Sequence, residues 1–265
     1  MPFSRGQWKL VRCNETGFVF LPDPPSYDAL STEYGWESTF KSERARRTRE
    51  EPVVAMVSSW IKRLRKRLLG RRNPFAAIVN ARLSPDSEGP PIRIVDIGCA
   101  TAALTRAVEE RLSARGLKVA MTGIEVSHAL ANVARQALLP IGGTVIETSA
   151  LEGVRSLPTD SVTVVLMSSF LEHEAQPLEL LLEVRRCLLP GGFAVVKMPN
   201  FDCWNRVVRG ARWCGFRYPD HVNYFTPHTL RTVTERAGLC LEQGWLDRFP
   251  LSDNMYAVLS RTPQG

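Results

Sequence analysis

The β-branched run at residues 92–97 constrains the fold most, because it stops abruptly at Gly98. The run reads IRIVDI, a pattern typical of a buried strand. Small residues follow the glycine, and apolar residues at helical spacing begin at Ala103. A strand that turns tightly into a helix offers backbone N–H groups and a bare surface to a flat or polar ligand. The sequence therefore predicts a ligand-binding turn at 98–102.

Strands and helices alternate from residue 92 onward. The strand at 161–167 is almost wholly apolar and is expected near the centre of a sheet. Repeated β–α units predict an α/β fold, with a parallel sheet covered by helices on both faces. The predicted strands are 92–97, 119–126, 143–148, 161–167, 193–198, 239–245 and 254–260, and the main helices are 127–138, 177–188 and 226–237.

Residues 1–89 differ in pattern from the rest and are predicted to form an N-terminal extension. It comprises a short hairpin, a proline-rich turn at 21–25 and an amphipathic helix at 53–69 with a strongly basic face. Residues 90–265 are predicted to form the second domain, with an insertion at about 200–225 that roofs a substrate pocket.

The net charge of +7 is concentrated in two segments, 41–49 and 60–72. Such a surface attracts anionic partners, and contact of 60–72 with an anionic membrane is one interpretation, with nucleic acid less expected. A solvated helix face is the commoner explanation. We expect a cytoplasmic protein, because no apolar run is long enough to span a bilayer, and peripheral contact with the inner membrane face is an additional interpretation. The six cysteines form no C-x-x-C pair, so reduced thiols are expected, with no disulfide framework or metal site.

Residues 93–102, RIVDIGCATA, resemble the cofactor loop of class I S-adenosylmethionine (SAM)-dependent methyltransferases, usually written V-L-D-I-G-C-G-T-G. The sequence LLPGGF at 188–193 is similar to the turn before the family's fifth strand. The segments at 198–201 and 219–227 resemble the bacterial type 23 subgroup. The resemblance implies a Rossmann-like fold with a mostly parallel seven-stranded sheet. Ala100 and Ala102 depart from the pattern, because glycine is usual at both positions.

The resemblance also implies a set of SAM-binding residues. Glu125 would accept hydrogen bonds from the ribose hydroxyls, which its place one β–α unit after the cofactor loop favours, whereas a lone strand-end glutamate more often caps a helix or lies on the surface. Ser149 stands where many relatives carry an acid that holds the adenine amino group, and a serine binds more weakly. The implied cofactor-binding residues are Asp96, Gly98, Cys99, Ala100, Glu125, Val126, Ser149, Ala150, Met167 and Ser168.

A hydroxyl acceptor must lose a proton during methyl transfer, and a neutral histidine suits that task. His221 in the insertion is the first candidate, with Tyr224 and Asp220 orienting the substrate or the histidine. The alternative is that this segment only pins the insertion to the core. Glu172 and His173 are open to the same two interpretations.

The predicted function is methyl transfer from SAM to a hydroxyl of a small molecule, a glycan or a lipid-linked intermediate. One alternative is an NAD-type oxidoreductase, since residues 98–103 distantly mimic G-x-G-x-x-G. The other is a degenerate domain that binds without catalysis. Zinc is rejected for the N-terminal leader, because Thr16 stands where relatives have the second cysteine of a C-x-x-C motif that begins at Cys13.

Overall fold

A computed structural model describes residues 4, 8–25, 49, 56, 60, 73–84, 89–244 and 250–261 of the chain. Its strands are β1 (Val11–Arg12), β2 (Val19–Phe20), β3 (Ile92–Ile97), β4 (Val119–Glu125), β5 (Thr144–Glu147), β6 (Val162–Ser168), β7 (Leu188–Pro199), β8 (Asn223–Tyr224), β9 (Cys240–Glu242) and β10 (Asn254–Ser260). Its α-helices within those ranges are α1 (Pro74–Arg82), α2 (Ala103–Ser113), α3 (His128–Leu138), α4 (Ala150–Arg155), α5 (Pro177–Cys187), α6 (Trp204–Arg209) and α7 (Pro227–Arg236).

Seven strands form the main sheet, in the order β5-β4-β3-β6-β7-β10-β9. Neighbours from β5 to β7 pair in parallel, and β10 runs antiparallel to both β7 and β9. The predicted α/β fold with a mostly parallel seven-stranded sheet is therefore confirmed. The apolar strand β6 lies at the centre, and its residues 164–167 are fully buried.

Helices cover both faces of this sheet, and each face has its own hydrophobic core. One core packs side chains of β3, β6 and β7 against α4, α5 and α7. The other packs the opposite side chains of the same strands against α1 and α2. Strand residues alternate between the two cores because successive side chains point to opposite faces.

Most strands lie within one residue of their predicted bounds, and the larger differences are in β7 and β9. Residues 190–192 were expected to form a turn before a strand, but β7 already begins at Leu188. Val162 pairs with Leu188 and Val164 with Phe193, so the extra residues of β7 bulge out of the sheet. Strand β9 ends at Glu242, not at residue 245, and residues 245–249 lie outside the described part of the chain.

The start of the chain joins the insertion at 200–225 in a second, three-stranded sheet. Strands β1 and β2 form an antiparallel hairpin, and β2 pairs with β8 through Val19 and Tyr224. Of the amphipathic helix predicted at 53–69, only Met56 and Trp60 lie within the described residues, both helical and exposed. Among the helices described, none has the length and apolar character needed to cross a bilayer.

Candidate functional site

The carboxyl ends of β3, β4, β5 and β6 meet at one edge of the sheet. In the registers of these strands, Ile97 lies opposite both Ile124 and Met167, and Glu125 lies opposite Glu147. Ligands of open α/β sheets bind at this edge, outside the ends of the strands. The cofactor-binding residues predicted from the sequence lie on these strand ends and on the loops that follow them.

The turn after β3 keeps a left-handed backbone at three positions. Gly98 has a φ of 67°, Ala100 of 48° and Ala102 of 59°. This conformation costs an alanine about 1–2 kcal/mol, whereas glycine adopts it freely. A Cβ atom on Gly98 would lie 2.4 Å from the ring of Phe170. The loop thus has the backbone geometry of a glycine-rich turn, although alanine stands at two of the left-handed positions.

Glu125 ties the end of β4 to this turn. Its Oε2 accepts a hydrogen bond from the Ala100 N–H at 3.0 Å, and its Oε1 accepts one from the Ser127 N–H at 2.9 Å. An ionised carboxylate has about four acceptor positions, so two protein donors leave capacity for two ligand hydroxyls. The helix-capping interpretation and the ribose interpretation of Glu125 are therefore compatible.

Asp96 and Cys99 support the turn from behind. The Thr105 hydroxyl donates a hydrogen bond of 2.6 Å to Asp96 Oδ2, which anchors the first turn of α2. Burial raises the pKa of the Asp96 carboxyl to about 7. Cys99 packs against Ala102 and α3, and a Cβ on Gly123 would meet its sulfur at 2.5 Å. Burial also raises the pKa of the Cys99 thiol, which makes it a packing residue rather than a nucleophile.

The remaining predicted cofactor residues differ in exposure. Val126, directly after β4, is 40% exposed, whereas Ala150 and Met167 are buried and Ser168 is half-buried. Ser149 caps α4, because its hydroxyl oxygen accepts a hydrogen bond from the Glu152 N–H at 3.4 Å. The hydroxyl group of Ser149 can still donate a hydrogen bond to an acceptor atom of a ligand.

The insertion after β7, which we call the roof (residues 200–225), has a hydrophobic core of its own. The buried aromatic residues of this core are Phe201, Trp213, Phe216 and Tyr224, and they pack against Leu10, Val19 and Leu21 of the N-terminal segment. The Trp213 indole N–H donates a hydrogen bond of 2.8 Å to Asp253 Oδ1. The roof is therefore a packed structure, not a loose loop.

Asp220 links the roof to the loop after β6. Its carboxylate lies 2.9 Å from His173 Nδ1 through one oxygen and 2.7 Å from the Arg217 guanidinium through the other. Burial alone would raise the pKa of Asp220, but His173, His221 and Arg217 lower it overall. Burial alone would lower the pKa of His173, and the Asp220 and Glu172 carboxylates raise it.

His221 is buried within the roof. Its Nδ1 lies 2.8 Å from the carbonyl oxygen of Gly215, which requires the proton on that nitrogen and leaves a lone pair on Nε2. The rings of His221 and His173 meet edge to face, with centroids 4.8 Å apart. Burial, reinforced by the neighbouring His173, lowers the pKa of His221 well below its usual range, so His221 is neutral near pH 7.

Backbone hydrogen bonds complete the contact between the roof and the loop after β6. The Glu172 carbonyl accepts from the N–H groups of Val222 and Asn223 at 2.9 and 3.0 Å. The Asn223 side chain donates to the carbonyls of Leu171 and Glu174 at 3.2 and 2.6 Å. These contacts match the pinning role weighed for this segment, whereas the predicted catalytic roles of His221, Tyr224 and Asp220 remain predictions.

One polar pair at the sheet edge was missed by the sequence analysis. Lys197 near the end of β7 donates a hydrogen bond of 2.7 Å to Ser169, which follows β6 and has a φ of 55°. Burial lowers the pKa of the Lys197 ammonium. The sequence signal was a single lysine within the apolar run FAVVKMP, which a purely structural strand does not need.

Comparisons with known proteins agree with this geometry. Residues 62–243 match the type 23 family described as a methyltransferase domain. No curated protein sequence matches the chain significantly.

Solved structures with a similar fold have low sequence identity to the chain. A SAM-dependent methyltransferase from Archaeoglobus fulgidus is 18% identical with a TM-score of 0.50, over 76% of this chain and 99% of that one. The putative methyltransferase solved with the Trm112 activator of Haloferax volcanii is 17% identical with a TM-score of 0.56, over 78% and 96%. The CurJ carbon methyltransferase is 15% identical with a TM-score of 0.53, over 71% and 54%.

Proposed function

Because the chain belongs to the type 23 family of SAM-dependent methyltransferase domains, we propose that it methylates a hydroxyl of a small molecule, a glycan or a lipid-linked intermediate. The observation that carries this proposal is the turn after β3. Ala100 and Ala102 hold left-handed backbones that an inert turn has no reason to keep. Strained backbone of this kind persists where the surrounding structure and function require it.

The same observation weighs against a degenerate domain that no longer binds SAM. Relaxation of the two alanines would be expected if the loop no longer had to fit a cofactor. An NAD-type oxidoreductase is also disfavoured, because the family to which the chain belongs transfers methyl groups. Neither alternative is favoured by a specific feature of the described residues.

In the proposed reaction SAM supplies an electrophilic methyl group, and the protein aligns the acceptor and excludes water. Glu125 binds the ribose hydroxyls, the backbone of 98–100 approaches the cofactor, and Ser149 hydrogen-bonds the adenine. The other positions of the predicted cofactor set line or support the same edge. We keep His221 as the proposed proton acceptor, because its neutral Nε2 carries a lone pair beside the strand-end loop.

The test is methyl transfer from SAM labelled at the methyl carbon to separate panels of phenolic, glycan hydroxyl, amine and activated-carbon acceptors. Labelled product from the hydroxyl panels alone is the expected result. Product from an amine or carbon acceptor would overturn the assignment of oxygen, and no SAM binding in calorimetry would overturn the function itself. We expect His221→Ala to lower turnover by about 10²–10⁴-fold while SAM still binds, with exposed His228→Ala as the control.

The proposed membrane contact concerns residues 60–72, of which only Trp60 is described, and it is 60% exposed. A lipid-linked acceptor would explain such a contact. Flotation with anionic vesicles at low and physiological salt tests it. Charge reversal of Arg63, Lys66 and Arg67 is expected to abolish binding, and protein that stays in the soluble fraction at both salt concentrations would contradict the contact.

A further inference from the structure

Three buried donor atoms converge where the roof meets the loop after β6. Glu172, His173 and His221 each offer one ligand atom, and these atoms all lie within 4.8 Å of one another. Glu172 is 2% exposed and His221 is 3% exposed. Within the described residues, Glu172 Oε2, His173 Nε2 and His221 Nε2 are buried and make no hydrogen bond. Buried polar atoms without a partner are costly, so this convergence requires an explanation.

The other nitrogen of each histidine is already held. His173 Nδ1 lies 2.9 Å from an Asp220 carboxylate oxygen, and His221 Nδ1 lies 2.8 Å from the Gly215 carbonyl. Each contact places a proton on Nδ1 and aims Nε2 toward the other donors. Histidines that bind metals almost always show this arrangement, in which a carboxylate or a carbonyl fixes the ring from behind.

We propose that Glu172, His173 and His221 bind one divalent transition-metal ion, and that Zn²⁺ fits the site best. Two imidazole nitrogens and one carboxylate oxygen are a donor set that suits Zn²⁺ and leaves a further coordination position for a water or a substrate oxygen. The ion would join the loop after β6 to the roof, and thus two segments that are distant in sequence.

The geometry requires only a small closure of the three side chains. A tetrahedral ion about 2.0–2.1 Å from each donor holds the donors roughly 3.4 Å apart. Glu172 Oε1 and His173 Nε2 are already 4.0 Å apart. The carboxylates of Glu172 and Asp220 offset the charges of Lys197 and Arg217, which lie close enough to act on them. A dication therefore does not enter a site that is already strongly positive.

His221 Nε2 cannot bind a metal ion and accept a proton at the same time, because it has only one lone pair. The proposed metal site and the proposed base role of His221 are therefore alternatives. The two are separable, because metal binding is measured without SAM or acceptor. Calorimetry with SAM on the same preparation tests the proposed function independently.

The experiment is titration of the chelator-treated, dialysed chain with Zn²⁺, and with Co²⁺ as a spectroscopic probe. We expect one Zn²⁺ per chain, and a visible Co²⁺ spectrum of low coordination number without the near-ultraviolet band of a thiolate ligand. Glu172→Gln and His221→Ala are each expected to weaken binding at least about 100-fold, because a direct ligand is lost.

His128→Ala is the matched control, because His128 pairs with Glu147 at 2.6 Å on the surface and imitates a site. The affinity of the His128→Ala variant for Zn²⁺ should equal that of the unaltered chain. No Zn²⁺ binding, a thiolate band, or unchanged binding by both ligand variants would overturn the proposal. Should His221→Ala fail to fold, Glu172→Gln and the Co²⁺ spectrum of the unaltered chain decide.

Discussion

The sheet edge at the carboxyl ends of β3–β6, where we propose that SAM binds and which we call the cofactor side, is built differently from the roof. The cofactor side comes from consecutive β–α units, in which each loop follows its strand directly. The roof packs against residues 8–25 and hydrogen-bonds to residues 171–174, and both of these segments are far from it in the chain. Local backbone geometry shapes the first region, whereas buried aromatic and polar contacts shape the second. If SAM binds at the sheet edge as proposed, substitutions in the roof and at the sheet edge should act separately on stability and on SAM affinity.

The largest expected effect comes from Trp213→Ala in the roof. The indole is fully buried and donates to Asp253, so its loss should cost about 3–5 kcal/mol of unfolding free energy. Urea unfolding measures the loss, and Trp204→Ala, at a 60% exposed position, should change stability by less than about 0.5 kcal/mol. SAM affinity of the folded variant should stay unchanged. A parallel loss of SAM affinity would show that the two regions are not separable.

Glu125→Gln tests the cofactor side. A hydrogen bond to a charged group is worth about 1.5–3 kcal/mol, and SAM affinity should fall by that amount. Isothermal titration calorimetry measures the change, with Glu242→Gln in a surface pair with Arg82 as the control. Unchanged affinity would remove Glu125 from the ribose site and leave it only its contacts with Ala100 and Ser127.

Asp96→Asn tests the support behind the cofactor turn. The pKa of Asp96 is raised to about 7 by burial, so between about pH 4 and pH 7 the folded state binds more protons than the unfolded state. Stability must therefore fall as the pH rises through this window. The amide carries no charge and should raise stability at pH 8 by about 1–2 kcal/mol, with a smaller gain at pH 5. Urea midpoints at both pH values measure this, and an equal gain at each would contradict it.

The smallest effects distinguish the two loop alanines. Ala100→Gly removes a left-handed alanine at a half-buried position and should stabilise by about 0.5–1 kcal/mol, after the greater entropy of unfolded glycine is subtracted. Ala102 is fully buried, so Ala102→Gly also loses a packed methyl group and should be close to neutral. We expect Ala102→Gly to bind SAM more tightly, because glycine holds the left-handed conformation of the loop without strain. Equal stability of both variants, or weaker SAM binding, would show that the loop has adapted to alanine.

The sheet was predictable from sequence because its signals are local. Strand β3 has the predicted bounds, and β6 lies at the predicted centre, since β-branched runs and turn residues specify each unit within a few positions. The bulge at the start of β7 was missed, because glycine and proline predict a turn but do not exclude continued pairing. The resemblance to a glycine-rich loop marked Ala100 and Ala102 as unusual positions, and their left-handed backbone became visible only in the structure.

The convergence of Glu172, His173 and His221 was not predictable, because it depends on contacts between segments about 50 residues apart. The sequence marked these residues singly, each with a structural interpretation of comparable weight. What decided their proximity was the pairing of Glu172 with Val222 and Asn223, and backbone hydrogen bonds leave no residue-specific pattern in a sequence. Lys197 carried a signal, a charge in an apolar strand, but no partner could be assigned without the fold.

The pairing of β2 with β8 has a consequence for biosynthesis. Val19 meets Tyr224 across roughly two hundred residues of intervening chain, so the hairpin is made early and its partner strand late. During translation the apolar side chains of Leu10, Val19 and Leu21 have no roof to cover them until residue 224 has left the ribosome. Contacts between residues so far apart in sequence slow folding, because the chain loses loop-closure entropy before the contacts stabilise it. A nascent chain therefore exposes the apolar side chains of this hairpin while the roughly two hundred intervening residues are synthesised, and exposed apolar surface of this kind promotes aggregation until the roof forms.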